Sequence, residues 1–153
     1  MPVDGGFGTG NIGEIISLLE NTQVITLATC SGSKVTARSM SIVNDGLLIM
    51  FQTGGNSEKA RQMRKNPNVA FAAGNMQIEA VARICGHPNE NQLFIDKYKA
   101  KYPQYHTSYT DSPDEVLIIA MPTKFSFYKY IDGKPCVDVL NVAENKAYRE
   151  VLM

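Results

Sequence analysis

A serine, a lysine and two glycines placed around a helix start can hold a phosphate. Such a set stands in the stretch FQTGGNSEKARQMRKNP, Phe51 to Pro67. A helix N-terminus offers unpaired N–H groups and a partial positive charge, both favourable to an anion. Ser57 can donate its hydroxyl, Lys59 supplies a point charge, and Gly54-Gly55 let the backbone come close. The alternative is a plain cap: Asn56 or Ser57 ends a solvated basic helix that displays Lys59, Arg61, Arg64 and Lys65. No Gly-Lys-Ser/Thr follows the glycines, so the stretch is not a Walker loop. Within this segment alone both readings stand.

Arg38 adds weight to the anion. It lies inside TARSMSI, a strand otherwise apolar or hydroxyl-bearing, where an unpaired charge is costly to desolvate. An exposed barrel face or a nearby carboxylate would also accommodate it. Arg38 on one strand, Thr53 at the end of its expected hairpin neighbour, and Ser57 with Lys59 beyond it can converge on one phosphate.

The elements that must position these residues are short. Ile12, Ile15, Ile16 and Leu19 recur at helical spacing after Asn11, the expected cap. QVITLATC and KVTARSMSIV read as strands parted by a turn. Asn44-Asp45-Gly46 marks a hairpin leading into LLIMFQT. The basic helix runs from about Ser57 to Lys65 and stops before Pro67.

NVAFAAGN and QIEAVARICG form a further strand pair. In its second strand Gln77, Glu79 and Arg83 share one face, with Ile78, Ala80, Ala82 and Ile84 on the other. The small alanines imply something flat or tightly packed against that face. NENQLFIDKYKAKY reads as a helix with Leu93, Phe94, Lys97 and Tyr98 at compatible spacing. VLIIAMPTKFSFYKY reads as a strand pair or one strand bent at Pro122, and AENKAYREVL as a closing helix. Hairpin-joined strands with inserted helices favour an α+β antiparallel β-barrel over a doubly wound sheet.

The whole chain sets bounds. Its 153 residues suit a single domain, 1–153, large enough for a core without disulfides or metals. Fifteen basic residues balance fifteen acidic ones, so no global charge draws nucleic acid or an anionic membrane, and an anion site must be local. No secretory signal or membrane-length apolar run is visible, which makes a cytoplasmic location the default. Cys30, Cys85 and Cys136 are scattered and odd in number, against a disulfide framework. Cys85-Gly86-His87 is too little for a metal site, and none is expected. His106, with Tyr105 and Tyr109, sits in a polar loop. These three could donate protons near a cofactor, although a solvated loop is the plainer reading.

The ordered set LAT, ARSMSIV, DGLLIMFQT, Ser57-x-Lys59, NPNVAF and QIEAVA resembles the FMN-binding split-barrel family typified by pyridoxamine 5′-phosphate oxidase. The match runs over residues 24–88 and, more loosely, 116–130. The resemblance implies a split barrel of six to seven strands and a homodimer with FMN at two interface sites. It implies that Arg38, Ser57 and Lys59 hold the FMN phosphate, and that Ser39, Met40, Gln52 and Thr53 line the flavin. Gln77 would reach the flavin of the partner subunit, and Tyr128 takes the place of an aromatic near the ring, or is an ordinary strand tyrosine.

Three departures separate the chain from the oxidase itself. Glu58 replaces a second phosphate base, with Arg61 as a substitute candidate. Val43 replaces a lysine that serves the vitamin phosphate, and no Arg-x-His follows Tyr128. The resemblance therefore implies a small FMN-dependent oxidoreductase, with NADH or NADPH as donor, on an unnamed small substrate. No side chain is assigned as catalytic. A non-catalytic FMN carrier, an electron-transfer partner or a haem-binding relative is the alternative, and F420 a third. The first of these is separated from an enzyme by NAD(P)H consumption.

Overall fold

The computed structural model describes residues 2–3, 10–104 and 110–152. In chain order the elements are β1 (Pro2–Val3), α1 (Gly10–Asn21), β2 (Val24–Ser31), β3 (Lys34–Ser41), β4 (Val43–Asp45) and β5 (Leu48–Gly54). There follow α2 (Glu58–Lys65), β6 (Asn68–Ala73), β7 (Met76–Ile84), a 3-10 turn (Pro88–Glu90) and α3 (Gln92–Lys101). The chain closes with β8 (Glu115–Ile131), β9 (Lys134–Asn141) and β10 (Lys146–Val151). Tyr105, His106 and Tyr109 lie outside the described residues.

All pairings are antiparallel, as hairpin connections dictate. The sheet runs β1-β10-β9-β8-β7-β6-β2-β3, with β5 joined to β8 and β4 to β5. That is an α+β split barrel with more strands than the six or seven expected: β1 and β4 are too short to show a period, and β9 and β10 lie in the weakly patterned tail.

The expected closing helix is a strand. Residues 146–151 pair with β9, from Lys146 opposite Asn141 to Val151 opposite Cys136. Asn145, at φ 51°, turns the chain in the left-handed region that asparagine tolerates. The pairing also places Arg149 beside the carboxylate of Asp138, which is fully buried. A helix would have removed the Arg149 partner and left Lys129 alone to face that charge.

The hairpin at Asn44-Asp45-Gly46 is present, with Gly46 at φ 58°, but its first arm is β4. Among the described residues β3 pairs with β2 alone. Between β3 and β4 the chain breaks at Ile42, whose side chain is fully buried. The hydroxyl of Tyr102 lies 2.7 Å from Ile42 O and 2.8 Å from Gln23 O, sharing its proton between two carbonyls at the break. Thr53 is thus not in the hairpin neighbour of the Arg38 strand, as the sequence suggested.

β8 is a single bent strand, not a pair. Its first part, Glu115 to Ala120, pairs with β5, and its second, from Lys124, with β9. Pro122 has no N–H for the ladder, and the register with β7 slips between Glu79 and Ala80. Thr123 Oγ1 donates to Glu79 O at 3.1 Å and Val142 N–H to Thr123 O at 2.9 Å, so the bulge is satisfied. Here the sheet forks.

The main core gathers Leu27, Phe51, Phe71, Ile78 and Phe125 with Ile15 and Leu19 of α1. Each such side chain contributes about 1.5–3 kcal/mol on burial. Phe51 meets Phe71 edge to face at 6.1 Å. Ala80 and Ala82 belong to this core, which explains the small face of β7. α1 begins at Gly10, one residue before the expected cap. Asn91 caps α3 through Phe94 N–H at 2.9 Å. The helix buries Phe94 and Ile95, whereas Leu93 stays exposed. Among the described residues no helix is long and apolar enough to cross a membrane.

Candidate functional site

Among the described residues β3 has a strand neighbour on one side only, and β5 beyond Met50 is paired only with β8. Two sheet edges are thereby left with unpaired backbone groups, which are ready partners for a ligand. A cavity of about 300 Å³ opens between them. Ser39, Met40 and Ser41 line it from β3, and Gln52, Thr53 and Gly54 from β5. Lys59 enters from α2, Tyr98 from α3 and Glu115 from β8.

The turn before α2 is built by close approach. A Cβ on Gly55 would lie 2.7 Å from Asp114 O, and Gly55 N–H donates to that oxygen at 2.6 Å. A Cβ on Gly54 would meet nothing within 4 Å. The two glycines therefore differ: Gly55 packs the turn onto the protein, and Gly54 borders the cavity. Arg64 donates to Gly55 O at 2.6 Å, and Arg61 to Asn56 O. Both cations brace the turn through its carbonyls, and Arg61 does not line the cavity.

Ser57 is the cap of α2. Its oxygen accepts from Ala60 N–H at 3.2 Å and lies 3.1 Å from Thr53 Oγ1. Capping uses the acceptor side of the hydroxyl and ties the end of β5 to the helix start. The first-turn N–H groups of Glu58 and Lys59 lie beside it.

Arg38 is held without a carboxylate. Its Nη1 donates to Thr29 Oγ1 at 2.7 Å and its Nη2 to Thr36 Oγ1. Both threonine hydroxyls donate to Gln62 Oε1, at 2.6 and 2.7 Å. Among the described residues neither Arg38 nor Lys59 makes an ion pair. Burial lowers the pKa of Lys59, the charge of Arg38 lowers it further, and Glu115 opposes both. Burial likewise lowers the pKa of Arg38, partly offset by Glu58.

Gln52 carries the one buried side-chain polar atom without a partner among the described residues. Its Oε1 accepts nothing, while its Nε2 donates to Thr110 Oγ1 at 3.0 Å. Burial raises the pKa of Tyr98, against a donor from Gln52 that lowers it. An acceptor in search of an N–H and two cations without a salt bridge among the described residues fit a ligand with an anionic end and a ring that carries a donor.

The structure brings Ser39, Met40, Gln52, Thr53 and Lys59 into one cavity, with Ser57 adjoining it through Thr53; Arg38 does not line the cavity, and its charge acts on Lys59. It does not bring Gln77 or Tyr128 there. Both are exposed, Gln77 on the outer face of β7 and Tyr128 with its hydroxyl 3.1 Å from that of Tyr130. Glu115, Tyr98 and Gln62 escaped the sequence reading. Tyr98 was visible only as a helix residue four places after Phe94. Glu115 follows SPD and read as the end of a loop.

The positions that depart from the oxidase have ordinary roles here. Glu58 pairs with Lys34 at 2.7 Å on the surface. Val43 is buried with Met50, Phe94 and Leu117, where no anion can sit. Cys136 is buried in β9.

A family model described as pyridoxamine 5′-phosphate oxidase matches residues 13–129, well over half of the chain. The chain belongs to this family. Among solved structures, one named F420 reductase is 24% identical with a TM-score of 0.60, covering 72% of this chain and 94% of its own. Campylobacter jejuni ChuZ reaches a TM-score of 0.71 at 14% identity, over 90% of this chain and 61% of its own. A pyridoxamine 5′-phosphate oxidase-related, FMN-binding protein from Nostoc punctiforme gives 0.61 at 12% identity, over 95% and 96%. At such identities the likeness is one of fold, the split barrel. No curated protein is significantly similar in sequence.

Proposed function

We propose that the cavity in the split takes FMN and that the protein is a small flavin-dependent oxidoreductase. The observation that carries this reading is the orphaned Gln52 Oε1, buried in a cavity that also holds Lys59. Arg38, Ser57 and Lys59 would hold the phosphate, while Ser39, Met40, Gln52 and Thr53 line the ring system. Bound there, FMN supplies hydride or electron transfer. The chain's own residues orient it and keep water from its buried edge. NADH or NADPH is the donor in this reading, and the substrate is a small molecule.

The working form is a homodimer of single-domain subunits, 1–153, in the cytoplasm. Exposed Val35, Val81 and Met121 supply an apolar outer face on β3, β7 and β8. Such patches favour association. Gln77 and Tyr128, exposed and outside the cavity of their own subunit, are then free to serve the partner's flavin.

An absorbance spectrum of the purified protein, taken before and after anaerobic NADH, tests this reading. Flavin bands bleached by NADH are expected. Flavin bands that no donor bleaches would make the protein a carrier. A haem band, or uptake of F420 in preference to FMN, would keep the barrel and change the cofactor.

A further inference from the structure

A phosphate seat has no obvious use for an acid, yet Glu115 lines the same cavity as Lys59. It opens β8 directly opposite Gly54 and is only 8% exposed. Its N–H donates to Ser112 O at 3.1 Å. Its carboxyl makes no hydrogen bond or ion pair among the described residues.

Three titratable groups face it: Lys59 from α2, His87 from the turn before Pro88, and Tyr98 from α3. His87 Nδ1 accepts from Asn89 N–H at 3.1 Å and its Nε2 lies 2.7 Å from Ser112 O, so both ring nitrogens are engaged by the backbone. Tyr98 is a neutral phenol. Of the groups that favour an ionised Glu115, His87 and Lys59, only Lys59 lines the cavity.

We propose that Glu115 couples cofactor binding to proton uptake: the phosphate that engages Lys59 removes the counter-charge of the carboxylate, and Glu115 takes a proton from solvent. This rests on the FMN reading above. A phosphate dianion beside Lys59 adds like charge within a poorly hydrated cavity, where charges act more strongly than in water. One proton moves from solvent to a carboxyl oxygen, and no other bond changes.

Burial already pushes the Glu115 carboxyl up, with His87 and Lys59 opposing. Loss of Lys59 to the phosphate pushes it further. Between the two values binding takes up a proton, so affinity rises as pH falls, by at most about tenfold per pH unit for one proton. Lys59 itself gains protonation on meeting the phosphate, which tightens binding in the same direction at high pH. Glu115→Gln separates the two, since it removes only the carboxyl.

The experiment is isothermal titration of FMN into the apo protein at about pH 7.5, above the second phosphate pKa of about 6, in two buffers of different ionisation enthalpy. Proton uptake is expected in the wild type and lost in Glu115→Gln, which binds FMN several-fold tighter at this pH. FMN binding without proton uptake overturns the proposal, as does uptake unchanged in Glu115→Gln. Should that variant not fold, wild-type protein with riboflavin, which lacks the phosphate, replaces it, and uptake equal to that with FMN overturns the proposal. No binding of FMN at all would instead remove the cofactor assignment on which the proposal rests.

Discussion

Arg38 donates to Thr29 Oγ1 at 2.7 Å, and Thr29 in turn donates to Gln62 Oε1 at 2.6 Å. The guanidinium is thus anchored by neutral hydroxyls, and its charge stays available to a ligand. A carboxylate in the same place would hold the side chain equally well but would compete with an anion. Gln62, only 5% exposed, couples α2 to both β2 and β3 through the same network.

Gln62→Leu should therefore destabilise the protein. The two threonine hydroxyls would lose their acceptor at a buried site, at a cost of about 1–3 kcal/mol. Urea denaturation measures this. An unchanged midpoint would show that the network is not structural.

The two glycines of the turn should part company. Gly55→Ala drives a methyl against Asp114 O and should cost about 1–3 kcal/mol. Gly54→Ala meets open space and should leave stability within about 0.5 kcal/mol. Its methyl borders the cavity, so FMN affinity is expected to fall. Thermal melts and FMN titration of both variants check the contrast, and equal losses of stability would refute it.

Asp138 predicts an acid-sensitive fold. Arg149 approaches it at 2.6 and 2.9 Å and Lys129 at 2.7 Å. Hydrogen bonds from Arg149 first, then from Lys129, hold its pKa below the usual value, against burial. A depressed folded-state pKa contributes stability that is present above the unfolded value and lost as pH falls through the folded one. Stability should thus decline below the ordinary aspartate range. Asp138→Asn should cost about 1–3 kcal/mol near neutrality, because it removes the charge that Arg149 and Lys129 hydrogen-bond at a buried site, and should flatten the acid decline. Chemical denaturation at several pH values reads both effects, and a variant that keeps the wild-type acid slope would assign that slope elsewhere.

Much of this site was legible in the sequence because its parts are local. Ser57, Lys59 and the glycines fall within six residues, and the cap, the helix and its stop at Asn66-Pro67 follow from nearest-neighbour chemistry. What escaped depends on strand pairing across long separations. Glu115 reaches the cavity only because β8 pairs with β5, which places it opposite Gly54, 61 residues earlier in sequence. The tail read as a helix because its alternation is weak, and the deciding contact, Arg149 with Asp138, appears only once β9 is in place.

Gln77→Ala tests the dimeric arrangement. Gln77 is exposed in β7, and its loss should change stability by no more than about 0.5 kcal/mol. The spectrum of bound flavin should shift all the same, since the side chain serves the partner's site in the proposed dimer. A spectrum identical to wild type would take Gln77 out of the site.

The most direct test of the central claim is an equilibrium titration of FMN by flavin fluorescence, on wild-type, Lys59→Ala and Arg38→Ala protein. One FMN per chain is expected in the wild type. Each variant should lose about 1.5–3 kcal/mol of binding, or roughly ten- to hundredfold in affinity. Equal affinities in all three proteins would mean that FMN, if bound, sits outside the split between β3 and β5.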